Sequence, residues 1–351
     1  QFWNEKCLKI AQTRFGEGHT CTITSLNNLG LFYDRQGKYN QAKLMLEKAL
    51  DLSRNLATDE DNHLATSLNN LASLHSSKGD YKRAKALYTE ALSLMKEIYG
   101  EKNVHTATCL NNLALTCDRQ GSYEDAERLY NQSITITQEL FEQDHIENVN
   151  SFSNLASLYE RKGCYKQAEE FHTQALNIKR KFFDEDHISI AYSIHHLAEL
   201  YGRQGRYEQS ETLHLEFCER TARLLGREHP DFAIALSSLA ASYIHQERYK
   251  EAEPVCIEAL ELQQKLLGKN HPNTTSSLNN LATLFECQKK YEQAEALYIQ
   301  AIDANLRIFG ENHPEIASNF SNLALVYDKQ GRHEQAEALY LRALEIRCEV
   351  F

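Results

Sequence analysis

Two kinds of segment alternate along the chain, and both carry apolar residues at helical spacing. Leucine and alanine recur three and four positions apart in stretches such as SLNNLA (67–72) and YEQAEALYIQAI (291–302). Residues at that spacing lie on one face of an α-helix. A glycine follows the first kind of segment, as at Gly37 and Gly121, where glycine is typical of a helix C-terminus. The pattern therefore predicts pairs of helices that are joined by tight turns.

The pair of helices repeats with a fixed period of 42 residues. One leucine marks it in every copy, at Leu29, Leu71, Leu113, Leu155, Leu197, Leu239, Leu281 and Leu323. A glycine or alanine follows each leucine, and a tyrosine lies ten residues after it, replaced once by His333. A repeat of this length predicts a solenoid, in which each unit packs on its neighbours.

The register of the repeat predicts the organisation of the chain. We expect a single repeat domain over residues 1–351, with eight 42-residue hairpins over 19–351. Residues 1–18 align with the second helix of a repeat and are expected to form an unpaired helix of a truncated copy. The first residue is Gln, so we expect the chain to be a piece of a longer protein.

The repeated motifs resemble the tetratricopeptide repeat in a long, 42-residue form. LNNLA, QGxYxxAExLYxxAL and GxxHP are similar to the repeat domain of kinesin light chains, and KEAEPVCIEALELQQKLLGKNHP (250–272) is an especially close match. The resemblance implies an all-α fold, a right-handed superhelical solenoid of helix-turn-helix repeats. In such a superhelix the first helices line a concave groove.

Asparagine recurs in the first helices, where helix propensity does not favour it. Residues placed about 100° apart put the second Asn of LNNLA opposite the packed leucines, so it is predicted to face solvent. Asn costs a helix about half a kcal/mol relative to Ala. A primary amide pairs with both N–H and C=O of a peptide backbone, and the resemblance implies that role for this Asn. The alternative is that the amide bonds an adjacent repeat and sets the geometry of the array.

Basic side chains follow the asparagines on the same helices and suit the carboxylates of a bound segment. The alternative is that each cation is neutralised by an acid beside it, such as Asp34 or Glu160. The predicted peptide-binding groove comprises Asn28, Arg35, Asn70, Asn112, Arg119, Asn154, Arg161, His196, Arg203, Asn280, Asn322 and Lys329.

Charge and cysteine usage narrow the choice of partners and compartment. The net charge of −11 is spread as alternating signs, which argues against nucleic acid or an anionic membrane as partner. Nine cysteines without a CxxC motif indicate reduced thiols in the cytoplasm. No apolar run reaches the length of a membrane span. We expect a protein or peptide ligand, acidic or aromatic-containing, while the heptads that would bind a motor heavy chain are absent from this sequence.

The sequence lacks the motifs of common catalytic sites. GxxxxGK[ST], HExxH and GxSxG are all missing. Six histidines occupy one loop column and are predicted to start helices: His19, His145, His187, His229, His271 and His313. We therefore predict no enzyme, no cofactor and no metal site. The pair His195-His196, near Glu199 and Arg203, leaves a pH-sensitive or metal-binding spot as an alternative.

Two functions remain open. The first is a non-catalytic scaffold, an adaptor like a kinesin light chain that holds an extended segment of a cargo or partner. The second is a sensor or autoinhibitory repeat array in a larger signalling NTPase or similar regulatory protein.

Overall fold

In a computed structural model, residues 2–56, 62–141 and 144–350 are described, and these residues form α-helices without any strand. A single helix, α1 (Phe2–Phe15), precedes the hairpins. The first helices of the hairpins are α2 (Thr20–Arg35), α4 (Asn62–Ser77), α6 (Val104–Arg119), α8 (Asn148–Arg161), α10 (Ile188–Arg203), α12 (Pro230–His245), α14 (Pro272–Cys287) and α16 (Pro314–Lys329). The second helices are α3 (Tyr39–Arg54), α5 (Tyr81–Tyr99), α7 (Tyr123–Leu140), α9 (Tyr165–Phe182), α11 (Tyr207–Leu225), α13 (Tyr249–Leu267), α15 (Tyr291–Phe309) and α17 (His333–Val350). The predicted all-α repeat array is confirmed.

The chain divides into two compact units, residues 1–158 (unit 1) and 159–351 (unit 2), with the division inside α8. Within each unit, a first helix packs on its own second helix, and that second helix packs on the next first helix. Consecutive first helices also contact one another, as α2 does α4 in unit 1 and α10 does α12 in unit 2. The first helices therefore form the inner layer of each unit. We call their exposed surface in unit 1, on α2, α4, α6 and α8, the inner face of unit 1.

The repeated leucines and their small neighbours form the core. Leu155 is fully buried, as are Ala72, Ala114 and Ala198, and the remaining leucines of the column are nearly so. Alanine at these points lets the two helices of a hairpin approach closely, while large aromatic side chains such as Tyr130 fill the space beside them. Apolar burial of this kind is the main source of stability in a repeat array.

The tight turn of each hairpin requires a left-handed residue. Gly37 has φ 68° and Gly121 has φ 82°, and both directly follow the C-cap of the first helix. Two repeats place other residues there: Glu247 has φ 59° and Lys289 has φ 61°. Side chains with a Cβ are strained in this region, so these two turns are less favourable than the others.

Five of the six histidines of the loop column start helices, as the sequence predicts, whereas His145 lies three residues before the start of α8 at Asn148. The Nδ1 atom accepts the backbone N–H two residues later in His19, His187, His229, His271 and His313, at 3.1–3.2 Å. Several of these rings also stack on the last aromatic residue of the preceding helix, with 3.9 Å between the ring centroids of Phe309 and His313. These imidazoles therefore cap helices.

Among the described residues, every helix is too short or too polar to cross a lipid bilayer.

Candidate functional site

The inner face of unit 1 carries six of the predicted groove residues. Asn28, Arg35 and Arg119 are exposed, and Asn112 and Asn154 are half-buried. Asn70 is only 9% exposed, so the prediction that the second Asn of each pair faces solvent is wrong at this position. A first helix contacts neighbouring first helices as well as its own partner, and this second contact covers Asn70.

The asparagines of successive repeats are joined by hydrogen bonds. The amide nitrogen of the second Asn donates to the carbonyl oxygen of the first Asn in the preceding repeat. Nδ2 of Asn70 lies 3.1 Å from Oδ1 of Asn27, Nδ2 of Asn112 lies 3.2 Å from Oδ1 of Asn69, and Nδ2 of Asn154 lies 3.2 Å from Oδ1 of Asn111. We call these bonds the amide ladder. It agrees with the structural alternative that the sequence left open.

The first rung of the amide ladder belongs to a buried polar network. Asn27, which is 4% exposed, donates to Oγ of Ser67 at 2.9 Å. Ser67 in turn lies 3.0 Å from Oγ of Ser53, which donates to the backbone oxygen of Ala49. These contacts connect α2, α3 and α4. Buried amides and hydroxyls need such partners, because an unsatisfied polar group is costly in the interior.

The amide ladder does not use all the hydrogen-bonding capacity of its exposed members. A primary amide has two N–H donors and an oxygen acceptor. Asn112 and Asn154 each use one donor, and within the described ranges no group donates to their Oδ1 atoms. Asn28 has no hydrogen-bond partner in the described part of the chain. Acceptors and donors therefore remain available on the inner face of unit 1.

The two basic side chains of this face are not neutralised by close contacts. Among residues 2–56, 62–141 and 144–158, no carboxylate lies within 4.0 Å of the Arg35 or Arg119 guanidinium. The nearby acid Asp34 is partly buried, and burial raises its pKa, although the charges of Arg119 and Arg35 oppose that shift. One oxygen of Asp34, Oδ1, is buried without a hydrogen-bond partner in the described residues. Arg35 and Arg119 therefore make no close ion pair within those ranges, although both lie near enough to Asp34 for their charges to act on it.

The corresponding cations of unit 2 are paired, but with the preceding repeat instead of their own helix. Lys329 contacts Glu286 at 2.6 Å, and Arg203 contacts the buried Glu160 at 3.5 Å. His172 is a second partner of Glu160, at 2.8 Å. The exposed ends of these cations thus already face an acid.

The other predicted groove residues of unit 2 have varied surroundings. Arg161 is exposed, and so is His196, whose ring stacks on His172 with centroids 5.7 Å apart. Asn322 is half-buried, and Asn280 makes a long contact of 3.4 Å to the backbone oxygen of Ser237. Nδ2 of Asn279 donates to Oδ1 of Asn319 at 3.1 Å, but the described residues of unit 2 do not repeat the regular amide ladder of unit 1.

A second set of contacts between repeats was not anticipated from the sequence. In unit 2, an arginine before the second helix pairs with a glutamate 37 residues earlier, in Arg206–Glu169, Arg248–Glu211 and Arg332–Glu295, at 2.6–2.9 Å. The same guanidinium groups lie over the rings of Tyr201, Tyr243 and Tyr327. The constant spacing of Arg and Glu is the signal that could have revealed them. These residues join repeats and are not available to a ligand.

Comparison with known proteins identifies the family of the repeats. A tetratricopeptide repeat family model matches residues 3–55, 63–139, 147–230, 231–305 and 284–349. A search of curated proteins returns no match.

Solved structures with the same architecture include kinesin light chain-like proteins. The crystal structure of BtubC (BKLC) from P. vanneervenii is 25% identical, with 65% of this chain and 91% of that chain covered and a TM-score of 0.52. A putative kinesin light chain of Podosopora anserina is 22% identical, with 59% and 98% covered and a TM-score of 0.50. The apo form of RapI is 14% identical, with 82% and 98% covered and a TM-score of 0.59, and it shares the fold. The chain belongs to the tetratricopeptide repeat family, and it resembles the kinesin light chain-like members.

Proposed function

We propose that this chain is a non-catalytic scaffold that binds an extended segment of a partner protein along the inner face of unit 1. Tetratricopeptide arrays are a type of protein–protein interaction scaffold. The likeness to kinesin light chain-like proteins favours an adaptor that links a cargo or partner to another protein.

The observation that carries the proposal is the set of uncommitted polar groups on this face. Oδ1 of Asn112 and Oδ1 of Asn154 accept no hydrogen bond from the described residues, and Asn28 is unbonded there. An extended peptide presents N–H and C=O groups at regular intervals, and amide side chains satisfy both. The amide ladder holds the side chains of Asn112 and Asn154 in place, so these two lose less side-chain entropy on binding.

Charge supports an acidic ligand at this place. Arg35 and Arg119 have no carboxylate within 4.0 Å among the described residues, whereas Lys329 and Arg203 of unit 2 do. A guanidinium forms two parallel hydrogen bonds with a carboxylate. The chain has a net charge of −11, which repels an acidic segment overall. Such a segment is therefore attracted only where cations such as Arg35 and Arg119 are exposed.

Peptide-library selection on the full chain tests the proposal. We expect selected peptides to be extended, to lack a fixed side-chain pattern at most positions, and to carry at least one Asp or Glu. Hydrogen exchange of the complex should show added protection in α2, α4 and α6. Protection confined to the second helices α3, α5 and α7, or selection of basic peptides, would refute the proposal.

A further inference from the structure

Three side chains with metal-binding atoms converge in unit 2, away from the amide ladder. His195 and Glu199 lie one turn apart on α10, and His214 lies on the facing helix α11. One ligand atom from each of the three lies within 4.8 Å of the other two. Nε2 of His214 is 3.6 Å from Oε1 of Glu199, and the rings of His195 and His214 have centroids 5.7 Å apart.

The repeat itself shows that these residues are not needed for packing. Where repeat five has His195, other repeats have Asn27, Asn111 or Asn279, and the position of His214 is a tyrosine in Tyr88, Tyr130 and Tyr298. The position of Glu199 holds Ser73, Ala241 or Thr283 elsewhere. Only here do all three positions carry a side chain that binds metals.

Both imidazoles leave a buried nitrogen unsatisfied. His214 is 2% exposed, and its Nδ1 has no hydrogen-bond partner among the described residues; the same is true of Nδ1 of His195. An unpaired buried nitrogen is costly. Nε2 of His214 is the nitrogen that now faces Glu199, so a bound ion satisfies Nδ1 only after the ring turns.

We propose that His195, Glu199 and His214 bind one divalent transition-metal ion, and that Zn²⁺ is the ion they suit best. Two imidazoles and one carboxylate are a common ligand set for zinc, with a fourth position left open. In a tetrahedral site with bonds of about 2.0 Å the ligand atoms are about 3.3 Å apart. The three ligand atoms must therefore move closer by at most about 1.5 Å, a movement that side-chain rotation has to supply when the ion binds.

The open position faces a cavity. A space of about 340 Å³ is lined by Glu199 and His214, and also by Ser242 and His245 of α12. Oγ of Ser242 is buried and has no partner within the described residues. The cavity has room for a metal-bound water, because one water needs roughly 30 Å³. A fourth ligand, either water or the nearby His245, completes the site.

Charge and ligand type define which ions are accepted. Mg²⁺ and Ca²⁺ prefer sites made of oxygen atoms, whereas imidazole suits Zn²⁺, Cu²⁺ and Ni²⁺. Arg203 also lines the cavity and its charge disfavours a cation, but Glu160 lies 3.5 Å from that guanidinium and offsets part of the effect. We therefore expect transition metals to bind and Mg²⁺ to be rejected.

Variants that each remove one proposed ligand provide the test, and His214→Tyr does so with the residue that other repeats carry at this position. His214→Tyr and Glu199→Gln remove one ligand each. His172→Tyr is the matched control, since His172 occupies the position of His214 one repeat earlier and lies outside the three-residue site. The full chain is dialysed against Zn²⁺ and then against buffer, and the bound zinc is measured per chain. The same proteins are titrated with Co²⁺, because its absorption bands distinguish nitrogen and oxygen ligands from cysteine thiolates.

Wild type and His172→Tyr should bind one more equivalent of zinc than His214→Tyr or Glu199→Gln, and each ligand variant should weaken binding at least about tenfold. Cobalt should show tetrahedral bands without thiolate charge transfer, and that signal should vanish in both ligand variants. If His214→Tyr loses helicity, Glu199→Gln decides the question, because this residue is only partly buried. Equal zinc content in all four proteins, or cobalt bound through thiolates only, would overturn the proposal.

Discussion

Removal of the buried rung of the amide ladder should loosen unit 1, whereas the same substitution one repeat earlier should not. Asn70→Ala deletes the donor to Oδ1 of Asn27, and that oxygen then stays buried without a partner. A buried acceptor left unsatisfied costs about 1–3 kcal/mol. The gain in helix propensity from Asn to Ala returns about half a kcal/mol. The expected net loss is therefore about 0.5–2.5 kcal/mol.

Asn28→Ala is the matched control for this prediction. Asn28 occupies the same position of its repeat but is exposed and, among the described residues, has no hydrogen-bond partner. Only helix propensity changes there, so stability should stay the same or rise by up to about half a kcal/mol.

Native-state hydrogen exchange of α2–α4 measures the difference between the two variants. A loss of about 0.5–2.5 kcal/mol corresponds to opening that is about 2- to 70-fold more frequent. We expect that acceleration in Asn70→Ala and none in Asn28→Ala, with a matching fall of the thermal midpoint followed by circular dichroism. Equal exchange in the two variants would show that the amide ladder contributes nothing to stability.

Three further predictions concern the turns, the buried imidazole of unit 1 and the helix caps. Glu247→Gly and Lys289→Gly should each stabilise unit 2 by about 0.5–1 kcal/mol in urea unfolding, because glycine relieves the positive φ, while alanine at the same positions should not. Burial lowers the pKa of His75 despite its contact with Asp80, so the unfolded chain takes up its proton first. The free energy of unfolding should therefore fall as pH drops below about 6.5, with a slope of up to about 1.4 kcal/mol per pH unit, and this pH dependence should weaken in His75→Tyr. If the urea midpoint decreases by the same amount in wild type and His75→Tyr between pH 7 and pH 5, the prediction is contradicted. His271→Ala should cost about 1 kcal/mol by thermal unfolding, and His271→Asn should cost little, because an Asn oxygen also accepts the N–H that Nδ1 now accepts.

Much of the fold follows from the sequence, because local signals repeat eight times. The period places the leucines in the core, the glycine column marks the turns, and the histidine column starts the helices. Each of these features is local, because it is determined by the residues and backbone dihedral angles of a single hairpin. Agreement among copies makes each signal strong, even where one copy departs, as at Glu247.

The contacts between repeats could not be predicted from a single helix. When residues are placed 100° apart on a single helix, only the side that packs on the partner helix of the hairpin is recognised. The side that packs on the neighbouring first helix is not, so the burial of Asn70 is not predicted. The pairing of Lys329 with Glu286 depends likewise on the rotation from one repeat to the next. This rotation is a property of tertiary packing, and no local pattern records it. In the sequence, this rotation shows only in the constant 43-residue spacing of polar pairs such as Lys329–Glu286 and Asn70–Asn27.

The sequence offers His195-His196 and Glu199 as an alternative metal-binding spot, but it does not include His214 of the proposed zinc site, for a related reason. His195 and Glu199 are one turn apart, which the sequence shows, but His214 lies on another helix. Its approach depends on how α10 and α11 are aligned along their length. The departure of all three positions from the other repeats was visible, although it did not show that they meet.

The affinity of a selected acidic peptide for the double variant Asn112→Ala/Arg119→Ala tests the central proposal most directly. Fluorescence anisotropy gives its Kd at low and high salt beside that of wild type. Arg83→Ala is the control, because Arg83 is an exposed arginine on the second helix α5 of the same unit. We expect the double variant to bind about 10- to 100-fold more weakly, since an amide hydrogen bond and a charge-assisted one are both lost. The gap should narrow at high salt as the arginine part is screened. Binding of the double variant within twofold of Arg83→Ala would contradict an extended ligand on the inner face of unit 1.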